Sequence, residues 1–491
     1  MLQELWTPEG ETLKNDPEIQ PWNVYPRPQM KRDNWLNLNG YWEFTAQKEN
    51  WLPKEYDLTI RVPFCPEAPL SGIHGHFPEG TNLCYRKMLT LPEGFNRGRV
   101  LLHIGAADQV AEVYVNGQEV CHHEGGYVEP VMDGTVTVPE LGEFPLVDGK
   151  VTITPANPNL WSPENPYLYN FTLEAGEDRI ESYFAIRSLE IKKVGDYPRL
   201  CLNGKPYFFH GLLDQGYWPE GLLTAPAPES FARDILSMKK LGFNTLRKHI
   251  KVEPEEFYYQ CDKLGMIVWQ DMVNNSDYNF MRDTALPTAG IQTLNDKNLH
   301  KDQLHRLCFL MNAAKTVTQL KNHPSICYWT IFNEAWRQFD SDEVFETFKT
   351  WDDTRFIDST SGWFRRKKSD MDSRHVYFRK VKLTGDGVKP LILSEFGGKT
   401  YKTEGHIFNP EKSYGYGGCA DIAELNKAVA ALYTDEILPC IPKGLCGAIY
   451  TQVSDVEDEI NGLLTYDRRV EKLTESAMAP VAEALYKAME G

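Results

Sequence analysis

Ile326-Cys-Tyr-Trp-Thr-Ile-Phe-Asn-Glu-Ala-Trp336 is the stretch that decides the fold. Its first seven residues are almost all apolar, rich in β-branched and aromatic types, and show no alternation. That pattern fits a strand buried on both faces, as strands of a parallel sheet are. The run stops at Asn333 and Glu334, a polar pair at the strand's C-terminal end. In parallel β/α barrels, that end is where loops gather the chemistry.

Working outward, comparable apolar runs occupy residues 207–213, 245–249, 266–272, 375–378, 391–396 and 447–453, and an eighth strand is expected near 361–364. Amphipathic helices are predicted between them. In 230–241, Phe231, Ile235, Met238 and Leu241 share one face at the 3.6-residue period. Residues 254–264, 303–320, 342–351, 423–438 and 476–489 behave similarly, with Pro254 at a helix start, where its missing N–H costs nothing. Residues 196–491 therefore fit one C-terminal (β/α)8 TIM barrel, typically about 250 residues plus insertions.

Upstream the style differs. Residues 35–191 alternate short β-forming runs with Gly, Pro and Asn, the pattern of β-sandwiches. In Val113-Tyr-Val-Asn-Gly-Gln-Glu-Val120, the Asn116-Gly117 pair suits a type I′ hairpin turn. Further strands are predicted at 83–91, 99–104, 151–154, 167–173 and 182–191. A chain of 491 residues is too long for one core and implies two or three domains.

The formal net charge of -17 opposes binding to nucleic acid or to an anionic membrane surface. The basic cluster Arg365, Arg366, Lys367, Lys368 is expected to be a solvated loop. No apolar run approaches the roughly 18 residues of a membrane span, and the first residues lack a leader pattern, so a cytoplasmic location is expected. The ten cysteines are scattered without zinc-like spacing and are expected to be reduced, mostly buried thiols.

A second acid completes a chemical pattern. Leu391-Ile-Leu-Ser-Glu-Phe-Gly-Gly398 places Glu395 at another strand end, sixty-one residues after Glu334, with room for about two β/α units between. The two acids then belong to barrel strands four and seven and meet across the mouth. Hydrolysis of a glycosidic bond with retention needs such a pair, one carboxyl to protonate the leaving oxygen and one, roughly 5 Å away, to attack the anomeric carbon. A lone acid at a strand end is more often a cap or an ion-pair partner; the pair in this context is a stronger signal.

Asn322-His-Pro-Ser-Ile326 leading into Asn333-Glu334, together with Leu393-Ser394-Glu395, resembles the signatures of glycoside hydrolase family 2, the group of β-galactosidases, β-glucuronidases and β-mannosidases. Leu36-Asn-Leu-Asn-Gly-Tyr-Trp-Glu-Phe44, Cys84-Tyr-Arg86 and Gly105-Ala-Ala-Asp108 are similar to its jelly-roll-like sugar-binding sandwich; Leu160-Trp-Ser-Pro-Glu164 and Ser182-Tyr-Phe-Ala-Ile-Arg187 resemble its immunoglobulin-like domain. The implied organisation is a shortened β-sandwich over 1–130, an immunoglobulin-like sandwich over 131–195 and the barrel over 196–491. The last strands of the first sandwich, after 125–127, find no counterpart. Either a partner subunit covering the exposed edges, as in a homo-oligomer, or a fragile N-terminal half is expected.

The resemblance implies that Glu334 is the acid/base, Glu395 the nucleophile and Asn333 a contact of the sugar 2-hydroxyl. It also implies that Tyr377 hydrogen-bonds the nucleophile and that Arg247 orients it. His249 stands one position short of the histidine that relatives carry after strand two, where this chain has Ile250. Tyr450 stands where many relatives use a tryptophan platform. Asp214, Trp218, Asp271 and Trp336 are further candidates for sugar contact. Each has a plainer alternative: core tyrosine, structural ion pair, buried histidine or loop packing.

For the substrate, glucuronidases of the family carry Asn-x-Lys before a Gly-x-x-Thr stretch, whereas Glu459-Ile460-Asn461 precedes Gly462-Leu-Leu-Thr465 here. An acid in that place disfavours a uronic acid. A neutral sugar follows, β-galactoside first, with β-mannoside, α-L-arabinopyranoside and β-glucuronide as alternatives. The chemistry requires no cofactor; some relatives bind Mg²⁺ or Na⁺ near the site. An inactive carbohydrate-binding scaffold is the rival from another class, and a metal-dependent hydrolase lacks the His/Asp/Glu clusters it would need.

Overall fold

A computed structural model describes residues 2–49, 51–107, 111–123, 134–147, 149–274, 279–281, 285–286, 296–334 and 338–490. Three small antiparallel sheets and a hairpin precede a parallel eight-stranded sheet.

The first sheet has the order β2-β1-β3, from β1 (Gly40–Gln47), β2 (Leu58–Val62) and β3 (Asn82–Arg86). The hairpin of β4 (Ala111–Val115) and β5 (Gln118–His123) turns at Asn116 and Gly117, both with positive φ (52° and 78°), as the type I′ prediction requires. A four-stranded sheet joins β6 (Gly134–Val138), β7 (Gly142–Leu146), β8 (Tyr169–Ala175) and β9 (Asp178–Phe184) in the order β7-β6-β8-β9. Val136, Val138 and Tyr169 form its core. The third sheet comprises β10 (Leu189–Val194), β11 (Tyr197–Leu202) and β12 (Lys205–Pro206).

Two predicted strands are absent. Residues 151–154 run extended with Val151 and Ile153 packed on the core of the four-stranded sheet, but join no ladder; residues 99–104 are exposed and join no ladder either. Leu101, Leu102, Val115 and Val120 are also exposed, on the half where the sequence anticipates a covering subunit. The 125–131 junction lies outside the described residues.

The barrel strands are β13 (Phe209–Asp214), β14 (Thr245–Lys248), β15 (Ile267–Asp271), β16 (Ile326–Asn333), β17 (Phe356–Ser361), β18 (Asp372–Val376), β19 (Leu391–Phe396) and β20 (Leu445–Tyr450). Their order is β17-β16-β15-β14-β13-β20-β19-β18, with all pairings parallel. The barrel is nearly closed, with β17 and β18 at the seam. Helices flank it much as predicted: Pro228–Lys240, Glu255–Leu264, Gln303–Leu320, Ser341–Trp351, Ile422–Leu432 and Glu475–Glu490.

The fifth barrel strand lies upstream of its expected place at 361–364. Phe356-Ile-Asp-Ser-Thr-Ser361 is buried throughout yet mostly polar, so hydropathy does not reveal it. Its polar groups are satisfied inside the barrel: Asp358 accepts from Tyr328 at 3.0 Å, and Ser361 Oγ contacts His375 Nε2 and Ser394 Oγ, each at 3.0 Å. The basic cluster is not free either: Arg365 pairs with Asp372, Arg366 with Asp296 and Lys368 with Glu346. All ten cysteines are free thiols; five are buried, while Cys121 and Cys308 are exposed.

Candidate active site

The segment 322–326 fixes where β16 begins. Buried Asp262 accepts from the Ser325 backbone N–H at 2.8 Å and the Tyr183 hydroxyl at 2.7 Å, with His323 Nδ1 also at 2.7 Å. Arg187 donates to the carbonyls of Pro324 (2.6 Å) and Ile326 (2.7 Å). The sandwich half thus holds the strand's entrance, and eight buried residues carry that placement to Asn333. Beyond it the chain turns at Glu334, whose φ of 49° is left-handed and whose N–H donates to the Ser361 carbonyl at 2.9 Å. Such a turn costs a residue with a Cβ about 1 kcal/mol or more, so packing must hold it.

Glu395 is the penultimate residue of β19, shortly before Gly397 and Gly398, at φ 87° and 77°. A Cβ at either glycine would lie 2.3 Å from a ring, that of Tyr450 at Gly397 and that of Tyr416 at Gly398. No larger residue fits there. Carboxylate oxygens of Glu334 and Glu395 and a ring nitrogen of His375 all lie within 4.8 Å of one another.

Arg247, at the end of β14 and fully buried, organises the floor. It grips Asp271 bidentately at 3.0 and 2.9 Å, reaches Glu395 Oε1 at 3.1 Å and the Ser394 carbonyl at 3.0 Å, and donates to Asn333 Oδ1 at 2.8 Å. All five guanidinium donors are used. Asn333 then points its amide nitrogen at His249 Nε2, 3.2 Å away. The departure at strand two is absorbed locally: Ile250 takes φ 54°, turning the chain directly after His249, whose Nε2 comes to 4.0 Å from Glu395. Tyr377 donates to Glu395 Oε2 at 2.8 Å and meets the Thr451 hydroxyl at 2.8 Å.

The two acids are therefore unequal. Burial pushes the Glu334 carboxyl up to about 7, opposed only by the charge of Arg247. Burial also raises Glu395, and the neighbouring Glu334 adds to the rise, but His375, Arg247 and the Tyr377 hydroxyl oppose it and favour the charged form. A proton shared by the pair belongs on Glu334. Burial pushes His375 down to about 4 and His249 well below its usual value, so both rings are neutral near pH 7.

Three neighbours were not singled out from sequence. His375 lies 2.8 Å from Glu334 Oε1 and 3.5 Å from Glu395 Oε2. Tyr416 stacks on Tyr377 with ring centroids 4.3 Å apart, and Trp363 stands edge-on to His375. His375 was discoverable: it is two residues before Tyr377, and side chains two apart on a strand share a face. Tyr416 and Trp363 lie on irregular loops that carry no periodic signal.

Other candidates lie elsewhere. Trp218 is in the core, edge-on to Phe231 and beneath Arg468 at 4.1 Å; Asp214 pairs with buried Lys248 at 2.7 Å. Tyr450 is fully buried, its hydroxyl accepting from the Lys399 N–H. Asp271 serves Arg247, and Trp336 lies outside the described residues. Glu459 accepts from Asn461 and Gln215, each at 3.0 Å, and its charge acts on the Tyr416 hydroxyl along with those of Glu395 and Glu334. Glu334, His375 and Glu395 are the one trio among the described residues close enough to share a cation. Their atoms are already engaged with one another, with Tyr377 and with positively charged Arg247, so no metal is assigned to them.

A family model described as glycosyl hydrolases family 2, TIM barrel domain, matches residues 193–418, and one described as glycosyl hydrolases family 2 matches 107–187. Together they take in more than half of the chain. The β-galactosidase of Pectobacterium atrosepticum is 28% identical over 221 residues, 44% of this chain and 19% of its own. That of Vibrio vulnificus strain CMCP6 is 25% identical over 392 residues, 72% of this chain and 35% of its own. The chain thus spans about a fifth to a third of the length of these curated relatives. Among solved structures, the β-glucuronidase of an uncultured Clostridium sp. superposes with a TM-score of 0.66 at 15% identity, covering 96% of this chain and 99% of that one, a likeness of fold alone. Among the described residues, no helix is long and apolar enough to cross a membrane.

Proposed function

The chain belongs to glycoside hydrolase family 2, and from that membership we propose that it is a retaining exo-β-glycosidase acting on a terminal neutral sugar, β-galactoside first. The observation that carries the reading is the pairing of Glu334 and Glu395 within 4.8 Å, with donors from Arg247 and Tyr377 on Glu395 alone. Retaining enzymes hold their two carboxyl groups about 5–5.5 Å apart, whereas inverting ones leave roughly 6.5–9.5 Å for a water.

In the first step a Glu395 oxygen attacks the anomeric carbon while Glu334 gives its proton to the departing oxygen, which keeps the electrons of the broken bond. In the second, Glu334 takes a proton from water as that water attacks the same carbon, and Glu395 leaves as carboxylate. Arg247 and Tyr377 stabilise the charge on Glu395 at the start and end of the cycle. Two carboxyl groups of unequal proton affinity suffice, and no cofactor is needed.

The choice of a neutral sugar rests on Glu459, whose charge lies near Tyr416 and would face a uronate with repulsion. The β-galactosidase names of the relatives support the first guess. A panel of nitrophenyl glycosides on wild type, Glu334→Ala and Glu395→Ala tests it. Turnover of a neutral β-glycoside by wild type and its loss in both variants is expected; a glucuronide outpacing every neutral sugar, or activity surviving Glu395→Ala, overturns it.

A further inference from the structure

Ser361, Ser394 and Ser373 form a buried line leading away from His375. His375 Nε2 lies 3.0 Å from Ser361 Oγ, Ser361 donates to Ser394 Oγ at 3.0 Å, and Ser394 and Ser373 Oγ are 2.6 Å apart. Ser394 in turn donates to the Arg374 carbonyl at 3.2 Å, which can only accept. Each serine has one proton to give, and Ser361 spends its own on Ser394. Ser361 can then only accept from the imidazole. His375 carries its proton on Nε2, leaving a bare lone pair on Nδ1.

That lone pair faces Glu334 Oε1 at 2.8 Å. Gly362 sets the ring there: at φ 86°, a Cβ on it would lie 2.5 Å from Nδ1. We propose that His375 is a positioning residue for the acid/base: the hydroxyl line locks its Nε2–H tautomer, so that Nδ1 accepts from the Glu334 carboxylic acid and disfavours its carboxylate. The proposal rests on the acid/base reading of Glu334. It adds a group that keeps the acid loaded before bond cleavage and makes the spent carboxylate a stronger base toward water. No proton travels along the serines; they hold an orientation.

The surrounding charges are consistent with this. Arg247 hydrogen-bonds Asp271 and Glu395 and acts on Glu334 only through its charge, which favours the carboxylate; His249 is neutral and faces Asn333, Tyr377 and Thr451 serve Glu395, and Tyr416 and Glu459 lie beyond Tyr377. Among the described residues, none places a cation between His375 and Glu334.

Two readouts test the proposal. In histidine-¹⁵N-labelled protein at neutral pH, two-bond proton–nitrogen correlations should show His375 protonated on Nε2 and bare on Nδ1; Ser361→Ala should release the ring to the Nδ1–H tautomer. In kcat/KM profiles for a glycoside with a poor leaving group, Ser361→Ala and His375→Phe should each move the basic limb down by about 1 pH unit, the size of one hydrogen bond between neutral groups. A dinitrophenyl glycoside, which needs no protonation, should lose far less. An Nδ1–H ring in wild type, or an unmoved limb with equal losses on both substrates, overturns the proposal. A wild type that hydrolyses no glycoside defeats the glycosidase reading instead, and the tautomer spectrum still decides this one.

Discussion

Arg247 donates to Oε1 of Glu395 at 3.1 Å, while among the described residues Glu334 receives no hydrogen bond from any arginine or lysine. One guanidinium separates the two acids into an ion and an acid. The consequences can be measured.

The first concerns pH. The active form has Glu395 ionised and Glu334 protonated. Because Glu334 is raised to about 7, its acid form is full below that value and lost above it. The kcat/KM of a glycoside with a poor leaving group should fall tenfold per pH unit above about 7, and a basic limb near the ordinary glutamate range, about 4.3, would contradict the assignment.

Arg247 is the second. Removing it leaves buried Asp271 uncompensated and Glu395 short of a donor. Arg247→Ala should cost about 3–5 kcal/mol of stability in denaturant melts. Arg247→Lys, with one point charge for five directed donors, should fold better yet lose most of its kcat. A lysine variant with wild-type kcat would contradict the orienting role.

Asp262 is the third. Its carboxylate holds Tyr183 of the sandwich half together with Ser325 and His323 at the start of β16. Asp262→Ala strands those buried partners, at about 1–3 kcal/mol for each. The melting temperature should fall by several degrees, with activity lost in proportion to the unfolded fraction. An unchanged melt would show that the entrance to β16 is held elsewhere.

The fourth concerns selectivity. Exchanging Glu459 for lysine reverses the charge near Tyr416. The ratio of kcat/KM for a nitrophenyl glucuronide to that for the matching neutral glucoside should rise about tenfold or more, a difference of roughly 1.4 kcal/mol. An unchanged ratio would remove Glu459 from substrate selection.

The sequence makes the barrel legible wherever its strands are apolar, as in Ile326–Asn333 and Leu391–Phe396, since burial on both faces writes an unbroken hydrophobic run. It hides Phe356–Ser361, whose polar residues are satisfied by barrel partners that are distant in sequence. The acids are readable for the same reason as their strands, being the first polar groups after them. Trp218 follows the first barrel strand and Tyr450 ends the last one, both plausible places for a sugar contact, but the packing that buries them is tertiary and leaves no local mark. His375 could have been found by extending the strand's alternation back from Tyr377. The hydroxyl line behind it could not, because it joins three different strands.

The most direct test is covalent. Incubation with a neutral 2-deoxy-2-fluoro-β-glycoside carrying a dinitrophenyl leaving group, followed by peptide mass spectrometry, should find one sugar on Glu395. The label should be absent from Glu395→Gln and slow to form without Arg247. A label on Glu334 or any other residue, or turnover releasing the inverted anomer with no adduct, would contradict the assignment of Glu395 as the attacking group.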